Sequence, residues 1–451
     1  LTLNTMKRTF FIATAVTAVG CSALVLLSFS SHSAHRGHLY CPVPSDNVAD
    51  HEGCVFRTVY EGQGLDSTFV LSTPDLVFRS EERALDWLVR AQGADGGFGA
   101  GTHARQDVID PHAVQSDPAT TAMVGMALLR MGNTPEKGRY ANVLNKLTDH
   151  LLITVEQADN AARNVTTLQG TQIQVKLGQN IDAALTAQFL SNLMGRMPCS
   201  HPKHDRWLNA LNKCVSIIQR SQNTDGSVQG DGWAGVLQSS FAASALESAK
   251  FQGAAVDTMS LRKAQDYQKA NFDVNSGSAI PERAAGITLY AVSGSTRNSA
   301  REAREVKDVM EKAKKEVKVA EAAPVSVDAL EDAGYTRTDA ERLNTAYQVY
   351  NAAKVQAQAD NVVSGFGNNG GEEFLSFLQT GESLVIGKDN GWRNWYQQTT
   401  ARLVGIQNND GSWNGHHCIT SPVFCTATSL LILSVNNDIE QLLAQGSTVK
   451  R

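Results

Sequence analysis

Gln407-Asn-Asn-Asp-Gly-Ser-Trp413 is one of three copies of the same turn; the others are Gln92-Gly-Ala-Asp-Gly-Gly-Phe98 and Gln222-Asn-Thr-Asp-Gly-Ser-Val228. In each, Asp95, Asp225 or Asp410 can bond its own backbone two residues on. The glycine that follows (Gly96, Gly226, Gly411) accepts the positive φ that ends a helix. An apolar helical stretch begins ten to twenty residues after each copy. One such turn would carry little; three with the same flanks predict a repeated helix–turn–helix unit.

Outward from these turns the chain reads as helices of two kinds in alternation. The spacing predicts pairs at 80–92 with 118–131, 137–157 with 182–196, 204–222 with 236–252, 260–271 with 281–293, 340–363 with 372–386, and 392–407 with 423–434. The first member of each pair is amphipathic and charged. The second is poor in charge and rich in Ala, Leu, Thr and Ser, as in Phe241-Ala-Ala-Ser-Ala-Leu246, and should be buried. The fold class expected is therefore all-α, with six pairs forming an (α/α)6 toroid over residues 80–436. A stretch of dense mixed charge at 297–342 is expected to be a solvated helical insertion, with a neck at 31–79 and a tail at 437–451.

A net charge of -5 gives no basic footprint, which argues against nucleic acid as a partner. Lys7-Arg8 precede twenty residues without charge at 10–29, the length of a spanning helix with its positive end inside. Residues 1–30 are thus expected to tether the chain to a membrane and place the remainder on the exported side. A cleaved signal peptide is the alternative, and a bacterial lipobox around Cys21 is disfavoured because the apolar run continues past it. Six further cysteines fall into close couples, Cys41/Cys54, Cys199/Cys214 and Cys418/Cys425. On an oxidising side of a membrane these predict three local disulfides.

The turns and the helix alternation resemble the QW repeats of squalene and oxidosqualene cyclases and the related turns of prenyltransferase β-subunits and complement-type thioester domains. Gln407 to Trp413, with Trp392 and Trp395 before it, is the closest match. Gly370-Gly-Glu-Glu-Phe374 and Gly415-His-His-Cys-Ile-Thr420 with Phe424-Cys-Thr426 are similar to exported bacterial proteins bearing prenyltransferase/squalene oxidase repeats. The resemblance implies a structural role for Gln92, Gln222, Gln407, Phe98 and Trp413, which would tie neighbouring helices together. It does not carry the chemistry across. The chain has no Asp-x-Asp-Asp acid motif, no Asp-Asp-x-x-Asp box and no Gly-Cys-Gly-Glu-Gln thioester.

In such a barrel the loops leading into the inner helices converge on one mouth, where ligand sites are expected. The polar residues there are Gln115 and Asp117, Asp231 and Trp233, Glu282 and Arg283, Glu372 and Glu373, and His416, His417 and Cys418, with Trp413 as a further aromatic. Glu282, Glu372, Glu373, His416 and His417 are the candidate acids and bases. Asp117 and Glu282 flank prolines, so helix capping accounts for them equally well. No cofactor is required by these residues. Zinc at His416 and Cys418 is the alternative to a Cys418–Cys425 disulfide. The expectation is an exported toroid binding a small-molecule, glycan or protein ligand at its cavity; a carbohydrate-active lyase or hydrolase and an isoprenoid enzyme are the alternatives.

Overall fold

The computed structural model describes Phe69 and residues 71–446, apart from 229, 231, 281–284, 366 and 368. The apolar stretch at 10–29, Cys41, Cys54, Asp231, Glu282 and Arg283 lie outside the described residues. By contacts the chain divides into units 1–39 and 40–451; all that follows concerns the second.

Its described residues are mostly helical, with almost no strand. The outer helices are α1 (Asp75–Arg90), α3 (Ala141–Gln157), α6 (His204–Arg220), α8 (Thr258–Lys269), α11 (Arg337–Ala357) and α14 (Trp392–Gly405). Their partners are α2 (Pro118–Arg130), α5 (Ile181–Met194), α7 (Gly235–Phe251), α9 (Thr288–Lys315), α13 (Glu372–Ile386) and α15 (Pro422–Leu433). Short helices α4 (Gln172–Leu177), α10 (Val327–Asp332), α12 (Asp360–Val363) and α16 (Ile439–Gly446) fill the remainder, with one hairpin of β1 (Phe272–Asp273) and β2 (Ser278–Ala279).

The second members of the pairs pack in a closed order, α2 on α5, then α7, α9, α13, α15 and back to α2. Every residue of α2 and of α15 is buried, as a helix apolar on all sides requires. Each outer helix lies on the inner helix of the preceding pair, and α1 completes the series by packing on α15.

The three glutamine turns make that order explicit. Gln92 Nε2 donates to Gly96 O (2.9 Å) and to Val143 O of α3 (3.0 Å). Gln222 Nε2 donates to Gly226 O (3.2 Å) and to Ser260 O of α8 (2.8 Å). Gln407 Nε2 donates to Gly411 O (2.9 Å) and to Ser80 O of α1 (3.0 Å), joining the last repeat to the first. Arg83 adds donors to Asn408 O and Asn409 O, and Trp87 Nε1 donates to Asp410 Oδ2. Each Asp accepts from the backbone two residues on, at 3.0 Å in all three copies. The backbone N–H of Phe98, Val228 and Trp413 is taken in turn by a hydroxyl of the inner helix: Thr121, Ser239 or Thr426.

Three expectations need correction. The charged stretch at 297–342 is not separate from the fourth pair, because α9 runs unbroken for 28 residues and is buried continuously from Leu289 to Ala300. Arg297 pairs with Glu247 (3.1 Å) and Lys269 with Glu302 (2.9 Å), so much of the charge is internal. Beyond it Val306, Met310, Leu330, Ala340 and Leu343 form a small core of their own. The neck ends at α1, which starts at Asp75 rather than at residue 80. The segment after 436 is not merely a tail. It contains α16, which packs against α13 and α9, while Asp438 holds Arg130 (2.8 Å) and Arg196. Arg130 also meets Glu382 at 2.7 Å. Charged pairs therefore occupy the C-terminal end of the inner helices.

Glu81 lies on the buried face of α1, and its Oε1 has no hydrogen-bond partner among the described residues. Burial, with the charge of Glu82 adding to it, pushes its carboxyl up to about 8. A carboxyl raised in the folded state binds its proton more tightly there than in the unfolded chain. Its contribution is complete below the ordinary value of 4.5 and is lost as pH rises through about 8. Glu81→Gln should therefore flatten the fall in Tm between pH 5 and 8.5, with a gain on the order of 4 kcal/mol at the alkaline end. Thermal unfolding of both proteins across that range checks it; parallel pH profiles would refute it.

Candidate functional site

Chemistry-bearing side chains gather where the inner helices begin. A capping box starts α4: Thr171 Oγ1 accepts from Gln174 N while Gln174 Oε1 accepts from Thr171 N. Gln172 Oε1 then accepts from Thr420 N (2.7 Å) and Ser421 N (3.1 Å). Those bonds dock α4 onto the loop leading into α15. One turn later Lys176 is carried to the same place, and its side chain is 3 % exposed.

Lys176 Nζ stands 2.8 Å from Glu372 Oε1 and 3.6 Å from Cys418 Sγ, and lies 3.6 Å from the centre of the Trp233 ring. Glu372 Oε1 also accepts from Tyr290 OH (2.8 Å) and Gly370 N (3.2 Å). Glu372 Oε2 is buried and has no hydrogen-bond partner among the described residues. Burial, then the neighbouring Glu372 charge, raises the Tyr290 phenol far above its usual range, so it stays a proton donor.

Close backbone contact sets this geometry. Gly371 N donates to Ile419 O at 2.9 Å, pinning the start of α13 to the 418–420 loop. A Cβ on Gly370 would stand 2.1 Å from His417 O, and one on Gly371 would be 2.5 Å from Cys425 Sγ. Only glycine fits there. Cys418 itself adopts φ 59, a left-handed conformation that non-glycine residues seldom hold.

The predicted residues are distributed unevenly. Glu372 and Trp233 are at the cluster, and Trp233 is 54 % exposed. Glu373 is turned the other way, accepting from Gly367 N (2.7 Å) and Asn369 N (2.9 Å); burial still raises its carboxyl. His416 and His417 face each other, and among the described residues no carboxylate is within ion-pairing distance of either. Gln115 is exposed on its loop.

Asp117 is the N-cap of α2, with Oδ1 accepting from Thr120 N (2.8 Å) and Oδ2 from Ala100 N (2.8 Å). Burial and nearby Asp182 push it up to about 7. Asp182 accepts from Ala119 N, Asn164 and Gln174, so both carboxylates are engaged in joining helix starts. Trp413 is 1 % exposed and donates from Nε1 to Leu403 O, which leaves no surface for a ligand.

The cysteine pairing is also corrected. Cys214, Cys418 and Cys425 are free thiols. Cys199 is disulfide-bonded, but to none of the other described cysteines. Cys214 lies ten residues into α6, about 15 Å along its axis from the first turn, so closeness in sequence did not bring it to Cys199. Cys425 Sγ points at Ile419 O (3.7 Å), while Cys418 Sγ points at Lys176. Among the described residues no group of three or more His, Cys, Asp and Glu is arranged to hold a metal, and no helix is long and apolar enough to cross a membrane.

Lys176 and Tyr290 were not anticipated from the sequence. Thr171-x-x-Gln174 was the legible sign of a short helix at 172–177, although it gives no hint of what Lys176 meets. No protein-family model, curated protein or solved structure matches the chain.

Proposed function

We propose that this chain is an (α/α)6 toroid of the QW-repeat kind that binds a ligand at the end where its inner helices begin. The observation that carries the reading is the buried Lys176–Glu372 pair beneath an exposed indole. A charge pair removed from water costs several kcal/mol in desolvation. Here one carboxylate oxygen is buried without a partner among the described residues, and the Trp233 ring over Lys176 is half open to solvent. Val175 and Trp233 supply an apolar rim, so a ligand with both apolar surface and a polar head suits the site.

The opposite end is filled by Arg130, Arg196, Glu382 and Asp438, and Gln379 Nε2 reaches Ser240 Oγ (2.7 Å) between α13 and α7. Ligand contact is therefore assigned to the mouth rather than to a deep tunnel. A polar interior gives the isoprenoid reading little support. Among the described residues the carbohydrate reading finds no second free carboxylate beside Glu372, since Glu373 is held by its own loop. The uncharged stretch at 10–29 is the ground for proposing membrane tethering with the helical unit exported, and the disulfide at Cys199 is compatible with that side.

Thermal shift of the full chain against neutral acyl esters, oligosaccharides and isoprenyl diphosphates tests the reading. A true ligand at a hundred times its Kd should stabilise the wild type by about 2.7 kcal/mol and Trp233→Ala much less. Equal stabilisation of both proteins, or none across the three classes, sinks it.

A further inference from the structure

Two strips of chain pair beside the mouth, and each is anchored by a buried carboxylate. Around an antiparallel bridge of Thr102 with Thr171, His103 N donates to Gly170 O (2.9 Å) and Gln172 N to Gly101 O (3.0 Å). On the first strip, Ala100 N donates to Asp117 Oδ2 (2.8 Å). On the second, Gln174 Nε2 donates to Asp182 Oδ2 (2.7 Å), which also accepts from Asn164 Nδ2 (2.9 Å). The remaining oxygens take successive amides of α2: Asp182 Oδ1 from Ala119 N and Asp117 Oδ1 from Thr120 N. Both side chains are 0 % exposed, and among the described residues no cation is paired with either.

The cations on the surrounding elements are engaged elsewhere. Lys176 of α4 meets Glu372 (2.8 Å), Arg105 meets Asp107 (2.8 Å), and His150 of α3 faces Asp95 (3.7 Å). His103 is bonded to Gln106, and Arg220 of α6 to Ala162 O. Lys146 and Arg163 are exposed, α15 has no charged residue, and the first on α7 is Glu247. Like charges on successive amides, without a counter-ion, disfavour ionisation of both groups. Burial, then the Asp182 charge, pushes Asp117 up to about 7, and burial raises Asp182 as well. Thr120 Oγ1, 2.9 Å from Asp117 Oδ2, can accept a proton from that oxygen as readily as donate one.

We infer that a proton kept on the Asp117–Asp182 pair latches the mouth, and that its loss lets the two strips and α4 part. Gln174 belongs to the capping box of α4, Gln172 Oε1 clamps Thr420 N and Ser421 N, and Lys176 reaches Glu372. A second negative charge drives the anchors of the strips apart, so α4 and the 420–421 loop loosen together. A carboxyl raised by folding contributes fully below its ordinary value of 3.8, and that contribution is lost as pH rises through about 7. The mouth is therefore held at acidic pH and released above neutrality. Regulation of a ligand by this latch rests on the mouth being a binding site.

Hydrogen exchange of the full chain, read by mass spectrometry at pH 6 and pH 8 and corrected for the intrinsic rate, tests this. Protection of 171–177 and of 418–421 should fall together by about tenfold, the ratio set by a group titrating near 7. Protection of 327–332 in α10, which packs in the separate small core, should stay within about twofold. Asp117→Asn retains a side chain able to cap α2 and should hold 171–177 equally protected at both pH values. The wild-type profile decides the matter even where that variant fails to fold. Protection of 171–177 that ignores pH in the wild type, or that falls no more than at 327–332, overturns the latch. A pH-dependent α4 with no ligand in the thermal-shift series would keep the latch and discard the binding reading; ligand binding over a pH-independent α4 would do the reverse.

Discussion

Lys176→Met is expected to lower the stability of the folded chain by about 3–5 kcal/mol at neutral pH, the cost of leaving a buried charge without its partner. Glu372 is 0 % exposed and Lys176 3 %, so neither group can turn to solvent to recover hydration. Tyr290 and Gly370 N would still donate to Glu372 Oε1, and they would offset only part of the loss. The double variant Lys176→Met/Glu372→Gln removes both charges and should recover most of the stability. Urea unfolding of the wild type, both single variants and the double variant gives the coupling directly. Additive losses would mean that the pair does not act as a unit in the folded chain.

A comparably large effect is expected at a turn. Gly226 has φ 92, and a Cβ placed on it would stand 2.0 Å from Lys263 O, a backbone atom of α8. Gly226→Ala therefore carries a left-handed penalty of roughly 1–2 kcal/mol and a further 1–3 kcal/mol from forcing two helices apart. Gly253 is the control, because its φ is 81 yet nothing lies within 4 Å of its would-be Cβ. Gly253→Ala should show the backbone penalty alone. Equal losses in denaturant unfolding of the two variants would remove the claim that the turn clamps α6 to α8. The same close approach recurs at Gly96 against Lys146 O (2.9 Å) and at Gly411 against Arg83 O (2.7 Å).

The helices were legible because their causes are local. Periodicity marked α3, α6, α7, α13 and α15 to within a few residues, and Asp and Gly marked where helices stop. The fourth pair was read less well. Charge density at 301–318 suggested a solvated insertion, but α9 continues from the core outward as one helix, and Arg297 and Glu302 find internal partners. Composition cannot reveal whether a charge is paired. Asp117 was legible as a cap because Pro118 follows it, and the structure places its carboxylate on Thr120 N.

The candidate site was read only in part. Glu372 and Trp233 could be named from their positions before inner helices. Lys176 could not, because its partner Cys418 lies 242 residues away. Close cysteine spacing misled for the same reason: a disulfide depends on the direction of two Cβ bonds, and Cys418 and Cys425 leave their backbones toward different neighbours.

The sequence by itself determined the alternation of buried and amphipathic helices and the glutamine turns that join them, since helix periodicity and turn chemistry act over a few residues. Only the tertiary structure decided that Gln407 reaches back 327 residues to Ser80, that Tyr290 and Lys176 share one oxygen of Glu372, and that the other oxygen is buried without a hydrogen-bond partner among the described residues. Those meetings depend on how the helices close on one another, which a local pattern does not encode.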